Sequence, residues 1–356
     1  MITFGFHKKF ILPMLWIAFF HIMTYSIRRE SKYIYFISKP SINSLENKYY
    51  KLCAPFIKKK SFSTKRDLTI TSIFYRERDV PLTLFSIRQS GCMATIVILT
   101  NKGMKFAALT TKIINCLSIK VIGVEIPHVL KKRHTDFIRD SMVCNFAKKY
   151  QEDFDRIFFF DAYDVFFEHD PFEYFIGDNM FFFQEALIPI KDSPCNRGWI
   201  LDCYGNEGLP IMGDNVVICS GTVAGSIRMF IRFYELLQKQ PAWKQCAVDQ
   251  GQMNFAVYSG LLTLNNVSYV IFNHAGPVHT LPHSIIHYKY YLDNPNYIYV
   301  TNANDKVAAV YHQINRFKNV TRGLYHRCNF TKIRNACQCD DKNIKNYQFM
   351  NLVTVD

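Results

Sequence analysis

The residues of this chain best suited to chemistry lie in the segment Arg156 to Phe172, RIFFFDAYDVFFEHDPF. An apolar run leads directly into Asp161-Ala162-Tyr163-Asp164. Such a run reads as a buried strand that delivers two carboxylates at its exposed carboxyl end. Two carboxylates placed there can hold a hard divalent cation and leave coordination positions open for phosphate oxygens. Two other readings compete. Asp161 can cap a following helix while Asp164 sits in a solvated turn. A phosphatase-type aspartyl nucleophile is a further possibility, but that chemistry calls for D-x-D spacing and a downstream Lys and acidic pair with no legible counterpart here. The apolar lead and the following Asp170-Pro171-Phe172 favour the cation.

The elements that must position these groups follow from periodicity and punctuation. Leu68 to Tyr75, Ala94 to Leu99, Ile119 to Val124 and Arg156 to Phe160 read as strands. Pro81 to Gln89, a stretch ending near Leu117, and residues 131–150 read as helices between them. This alternation predicts an α/β fold with a mostly parallel sheet and helices on both faces. Ligands of such sheets bind beyond the carboxyl ends of the strands, which directs attention to Tyr75-Arg76, Thr100-Asn101 and the residues after Phe160. In the second half, residues 186–214 read as a long irregular excursion, Val216 to Cys219 as a strand, and Ser220-Gly221-Thr222 as a tight turn. Gly225 to Gln238 reads as a helix, and Asp249-Gln250-Gly251 opens another. The Phe-rich runs at 158–160, 166–167 and 181–183 are expected in the sheet core, whereas Trp199, on the excursion, can stack on a sugar or anchor its own loop.

The formal charge of +14 suggests nucleic acid at first sight, but residues 1–66 hold 13 Lys and Arg against two Glu, and the remainder is nearly neutral. No zinc-finger, RRM or basic-zipper pattern accompanies that charge, so nucleic acid is excluded as the expected partner. A hydrophobic content of 49% argues for a packed domain rather than disorder. Phe10 to Ile27 contains no Lys, Arg, Asp or Glu, and as a helix it spans about 27 Å, close to a bilayer core. It reads as an uncleaved membrane anchor, with a cleaved signal peptide as the rival. This divides the chain into a tail (1–9), a transmembrane anchor (10–27), a basic stem (28–66) and a domain from 67 to 356. Three sequons, at Asn266, Asn319 and Asn329, and eleven cysteines suit an oxidising lumen. Disulfides are expected ahead of a zinc site for the C-terminal cluster Cys328, Cys337 and Cys339.

The motifs, taken in order, resemble those of GT-A-fold (Rossmann-like) nucleotide-diphospho-sugar transferases. The pattern is an apolar strand with D-x-x-D, a DPF-like tripeptide, a CSGT turn, a DQG motif and a late HQ. Here these are Asp161 to Asp164, Asp170-Pro171-Phe172, Cys219 to Thr222, Asp249-Gln250-Gly251 and His312-Gln313, across residues of about 68 to 316. The D-A-Y-D segment is also similar to the glycosyltransferase domain of lysyl hydroxylases. The resemblance implies metal ligation by Asp161, Asp164 and His312, with His312 reaching the cation from the far side of the sheet and His274 and His279 in reserve. It implies that Ser220, Gly221 and Thr222 lie under the donor sugar, and that Asp249 and Gln250 face the sugar or acceptor. Tyr75, Arg76 and Thr100 would meet the base and ribose, and Arg139 the diphosphate. Ile314-Asn315-Arg316 departs from the aromatic and Asp that follow HQ in the family pattern.

The resulting expectation is a glycosyltransferase that moves a sugar from a nucleotide sugar, UDP-linked by resemblance, to a hydroxyl of a glycan, glycoprotein or glycolipid. Mn2+, or Mg2+, would be the cation. The protein would be a single-pass type II membrane protein of the Golgi or ER with its catalytic domain in the lumen. The alternative is a non-catalytic luminal binding protein of the same fold.

Overall fold

The computed structural model describes residues 61–74, 77, 80–126, 135–246, 248–282, 289–294, 297–301, 307–328 and 342–350. The expected anchor and most of the expected stem lie outside these residues. No helix among the described residues is long and apolar enough to cross a membrane.

The first half alternates strand and helix: β1 (Asp67–Ile73), α1 (Val80–Gln89), β2 (Thr95–Asn101), α2 (Ala108–Cys116), β3 (Lys120–Val124), α3 (Thr135–Lys149) and β4 (Arg156–Phe160). The chain continues through β5 (Val165–Phe167), β6 (Met180–Pro189), α4 (Pro194–Tyr204), β7 (Val216–Ile218), β8 (Thr222–Ser226), α5 (Ile227–Gln238) and α6 (Asp249–Tyr258). It ends with β9 (Tyr269–Phe272), β10 (Val278–Thr280), β11 (Lys289–Asn294), β12 (Tyr297–Thr301), β13 (Val310–His312), α7 (Lys318–Arg327) and β14 (Tyr347–Met350).

The central sheet is mixed and mostly parallel, in the order β14-β3-β2-β1-β4-β8-β6-β7, with β9 pairing with β6. The five strands from β14 to β4 are all parallel, and β8 runs antiparallel to β4. Side chains alternate across the sheet as the two-residue period of a strand requires. Ile157 and Phe159 of β4 pack in one core with Phe137 of α3 and Phe230 of α5, while Phe158 and Phe160 pack on the opposite face with residues of α1 and α2. Both faces are therefore covered, and burying each of these phenylalanines stabilises the fold by about 2–3 kcal/mol relative to exposure.

Strand order reverses at β1: β2 and β3 lie on one side of it and β4 on the other. Crevices at such switch points, beyond the carboxyl ends of the strands, are where open α/β sheets bind ligands. Asp161 follows β4 directly at this point. The Tyr163 hydroxyl lies 3.2 Å from both the amide nitrogen and the carbonyl oxygen of Phe74, so it ties the D-A-Y-D loop to the end of β1.

Three sequence expectations need correction. Residues 186–214 are not an irregular excursion: β6 runs through Pro189, and α4 starts at Pro194, whose ring suits a first helical turn. The helix expected from Gly225 starts at Ile227, because Thr222–Ser226 is claimed by pairing with β4, and the Ser226 hydroxyl caps the helix by accepting from Met229 N at 3.2 Å. Residues 61–66, expected in the stem, pack on the domain. Asp170 Oδ2 accepts from Phe62 N (2.8 Å), Ser63 N (2.8 Å) and Ser63 Oγ (2.6 Å), and Arg156 donates to Phe62 O at 3.0 Å. The DPF tripeptide thus serves as a receptor for this strap, with Asp170 Oδ1 also accepting from Phe172 N to cap a short turn. It lends no side chain to the cation site.

Candidate metal centre and substrate crevice

Asp161, Asp164 and His312 come together as the sequence reading expected, with one candidate ligand atom from each lying within 4.8 Å of the others. Their convergence has a simple origin. β5 starts right after Asp164 and pairs antiparallel with β13, placing His312 opposite Val165. His312 therefore reaches the carboxylates from a neighbouring strand of a small separate sheet, β10-β13-β5, and not from the far side of the main sheet.

His312 Nε2 lies 3.5 Å from Asp161 Oδ2 and 3.6 Å from Asp164 Oδ1. These separations are long for hydrogen bonds, and both His312 Nε2 and Asp164 Oδ1 are buried without a hydrogen-bond partner. They do suit two atoms bound to one ion at about 2.0–2.2 Å, which stand roughly 3–3.6 Å apart. A nitrogen and two carboxylate oxygens suit manganese, and an oxygen-rich completion by phosphate also suits magnesium. Behind the ring, His312 Nδ1 is 3.3 Å from Cys219 Sγ and 3.4 Å from Thr280 Oγ1, groups that can fix its orientation.

The three groups strongly perturb one another's protonation. Burial pushes the Asp164 carboxyl up to about 6, with His312 opposing and Asp161 reinforcing the rise. Burial acts in the same direction on Asp161, but Arg139 and His312 outweigh it and hold that carboxyl below its ordinary value. Burial would lower the His312 imidazole, yet Cys219, Asp164 and Asp161 hold it well above its usual range.

Gly221 shows how close the turn comes to the site. A Cβ at this position would stand 2.5 Å from Asp161 Oδ2 and 2.7 Å from His312 Nε2, so only glycine leaves the space beside the ligands open. Asp161 N donates to Gly221 O at 2.8 Å, which locks turn and ligand together. Ser220 joins this turn to the DQG motif: its hydroxyl donates to Asp249 Oδ1 (3.1 Å) and its amide to Gln250 Oε1 (3.0 Å). Gly251 of that motif has a packing role, since a Cβ there would meet Cys203 Sγ and Trp199 O of α4, each at 3.0 Å.

Several expected site residues stand elsewhere. Thr100 is fully buried and its hydroxyl donates to Ile73 O at 2.7 Å, so it braces β2 against β1 and is closed to a ribose. Thr222 is also fully buried, opposite Phe160 in the sheet, behind the turn and not under a sugar. Tyr75 and Arg76 lie outside the described residues. His279 pairs across from Tyr311, on the strand face opposite to His312; burial, then His274, pushes its imidazole down to about 3, and it is not part of the metal group. Arg139 faces carboxylates: Nη1 donates to Asp161 Oδ1, Nη2 to Asp249 Oδ2 at 2.8 Å, and Nε to Asp140 Oδ1 at 3.3 Å. A largely buried guanidinium with these three partners is an organiser of the site and not a free hand for a diphosphate.

Two residues were missed by the sequence reading. Arg316 is exposed, four positions beyond His312, and acts on Asp164 by its positive charge. Glu185, buried on β6, accepts from Gln250 Nε2 at 3.2 Å. The sequence signal for Glu185 was an acidic residue two positions after the Phe-rich run 181–183.

Cys203 of α4 is disulfide-bonded to Cys246, while Cys195 is exposed and outside any disulfide. Cys328 is also disulfide-bonded; Cys337 and Cys339 lie outside the described residues. Comparison of the chain with protein-family models and with curated proteins finds no match.

Proposed function

We propose that this chain is a metal-dependent glycosyltransferase of the GT-A type, acting on a nucleotide-sugar donor. The observation that carries the reading is the Asp161, Asp164 and His312 group, with its two orphaned buried ligand atoms, at the switch point of a mostly parallel sheet. Asp161, Asp164 and His312 would hold Mn2+ or Mg2+, which when bound supplies positive charge to the leaving nucleoside diphosphate. Arg316, exposed beside Asp164, takes the diphosphate-facing part first expected of Arg139. Ser220 and Gly221 form the floor on which the sugar rests. Asp249, fixed by Arg139 and Ser220, faces the sugar or the attacking hydroxyl of a glycan, protein or lipid acceptor.

A lumenal setting belongs to the same reading. It is supported by the buried Cys203–Cys246 disulfide and by exposed sequon asparagines at Asn266 and Asn319. The type II anchor and the Golgi or ER address rest on Phe10 to Ile27, outside the described residues.

Donor hydrolysis tests the proposal without knowledge of the acceptor. The full-length chain in detergent is incubated with a panel of UDP- and GDP-sugars, with Mn2+ or with a chelator, beside an Asp161→Ala, Asp164→Ala double variant. Metal-dependent release of one nucleotide, absent from the variant, is the expected result. A folded protein that neither releases nucleotide nor binds Mn2+·UDP or Mn2+·GDP would be the binding protein considered as the alternative, or another protein altogether.

A further inference from the structure

β7 ends the central sheet: among the described strands it pairs with β6 alone. Ile218 is fully buried, so the backbone groups on the outer edge of this strand need partners within the protein. They find them on one face of α6. Val216 O accepts from the Tyr258 hydroxyl at 2.6 Å. Ile218 N donates to Asn254 Oδ1 at 2.9 Å, and Ile218 O accepts from Asn254 Nδ2 at 2.8 Å. Ser220 N donates to Gln250 Oε1 at 3.0 Å. The two periods match: every second residue of a strand turns its backbone groups to the same edge, about 6.6–6.8 Å apart, and every fourth residue of a helix lies on one face, about 6.0 Å apart. Residues 250, 254 and 258 therefore stand in for a missing neighbour strand, running antiparallel to 220, 218 and 216.

The last rungs of this ladder bear on the cation site. Cys219 Sγ stands 3.3 Å from His312 Nδ1, Gly221 O accepts from Asp161 N at 2.8 Å, and Gly221 abuts both Asp161 and His312. On the opposite edge Cys219 N donates to Phe183 O of β6 at 3.0 Å, so the segment is held from both sides. Gln250 is itself fixed: its Nε2 donates to Asn196 Oδ1 at 2.8 Å and to Glu185 Oε1 at 3.2 Å. Both ends of its amide are committed within the protein, which corrects the expectation that Gln250 faces the sugar or acceptor. Asn254 Nδ2 also donates to Gln250 O at 2.8 Å, which ties the middle rung to the one nearest the site.

Resting on the cation site of the reading just proposed, we propose that Gln250 and Asn254 are positioning residues for the bound cation. They set the height of segment 218–221 along α6, and through Cys219 and Gly221 they set the placement of His312 and Asp161. Neither touches the ion. Cys219 and Gly221 flank Ser220, so a slip of the Ser220 rung moves the thiol behind the His312 ring and the carbonyl that holds Asp161 together. Groups that orient metal ligands in this way are worth about 10–100-fold in metal affinity.

The test is Mn2+ titration by calorimetry on the full-length chain, set beside the melting temperature, for one variant at each rung. Every variant removes hydrogen bonds and should melt earlier than the parent. If the ladder only holds the fold together, Mn2+ affinity is indifferent to which rung is lost. If it positions the site, the loss depends on the rung: about tenfold in Gln250→Met, smaller in Asn254→Ser, and less than about twofold in Tyr258→Phe, at the end remote from the turn. Parent-like Mn2+ affinity in a folded Gln250→Met protein overturns the proposal, as does a loss in Tyr258→Phe as large as that in Gln250→Met. Should Gln250→Met not fold, Asn254→Ser set against Tyr258→Phe makes the same comparison. A folded parent chain that binds no Mn2+ fails one level down, at the cation site itself, and this inference falls with it.

Discussion

Asp161 and Asp249 are held by the same guanidinium: Arg139 donates to Asp161 Oδ1 through Nη1 and to Asp249 Oδ2 through Nη2. One residue on α3 thereby sets the spacing between Asp161 of the candidate cation site and Asp249 at the start of α6. Asp161 keeps Oδ2 turned toward His312 as a result. Replacing Arg139 by Gln leaves three carboxylates, Asp140, Asp161 and Asp249, without their charged partner, at a cost of about 3 kcal/mol in stability. It is also expected to weaken Mn2+ binding about tenfold or more, as loss of a ligand-orienting partner does. Arg139→Lys should rescue little, because an ammonium cannot reproduce the planar fork that spans both carboxylates. Thermal unfolding and Mn2+ titration of the two variants check this; full recovery in Arg139→Lys would count against the shared-fork role.

Gly221→Ala is the sharpest steric test of the cation site. The new Cβ would intrude between Asp161 Oδ2 and His312 Nε2, while the backbone there requires no left-handed conformation. The expected outcome is a loss of Mn2+ affinity of about tenfold or more with a modest loss of stability, about 1–3 kcal/mol. Parent-like Mn2+ affinity in a folded Gly221→Ala protein would show that the cation does not sit beside this turn.

The pH dependence follows from Asp164, whose carboxyl burial lifts to about 6 from an ordinary value of 3.8. Between these two values the folded, metal-free protein binds more protons than the unfolded chain. Its contribution to stability is present below pH 3.8 and is lost as pH rises through about 6. A cation requires the ionised carboxylate and the neutral imidazole, so its affinity runs the opposite way: it falls as pH drops through the raised His312 range and falls further through about 6 as Asp164 is protonated. The rise in melting temperature on adding Mn2+ should therefore be larger at a pH above 7 than at a pH near 5. A shift independent of pH over that range would exclude Asp164 as a ligand.

The strap at 61–66 makes a prediction about where the folded unit begins. A protein starting at residue 67 deprives Asp170 of three donors and Arg156 of the Phe62 carbonyl. Leaving a buried carboxylate short of its donors should cost about 2–4 kcal/mol relative to a protein starting at residue 61. The exposed Arg66–Asp155 pair, lost in the same truncation, contributes little. Denaturant midpoints of the two proteins decide the matter, and coincident midpoints would mean that the strap is passive.

The Cys203–Cys246 bridge joins α4 to the segment just before α6, and the Asn196–Gln250 hydrogen bond joins α4 to α6 itself. Cys203→Ser with Cys246→Ser is expected to cost about 2–4 kcal/mol. It should also raise amide exchange along α4 before the sheet strands respond. Exchange that rises uniformly across the domain would argue against a local clamp.

Much of the fold could be read from the chain alone, because its signals are local. The apolar runs of β2 and β4, the helices between them and the carboxylates at the end of β4 all follow from short-range periodicity, so Asp161 and Asp164 could be nominated by residue type and place, whereas His312 was nominated through the resemblance. The tertiary structure decided the rest, because those facts depend on partners distant in sequence. Thr100 and Thr222 stand at strand ends or turns in sequence, but strand register buries both. Asp170 looks like part of an acidic motif, yet it is committed to a backbone strap more than 100 residues earlier. Arg139 was expected to await a phosphate, and the packing of α3 against α5 and the sheet brings it to Asp161 and Asp249 beside its own neighbour Asp140 instead. Residue type names the chemistry a side chain is capable of. Which of that chemistry remains free for a substrate is set by hydrogen bonds and burial, and these exist only once the chain has folded.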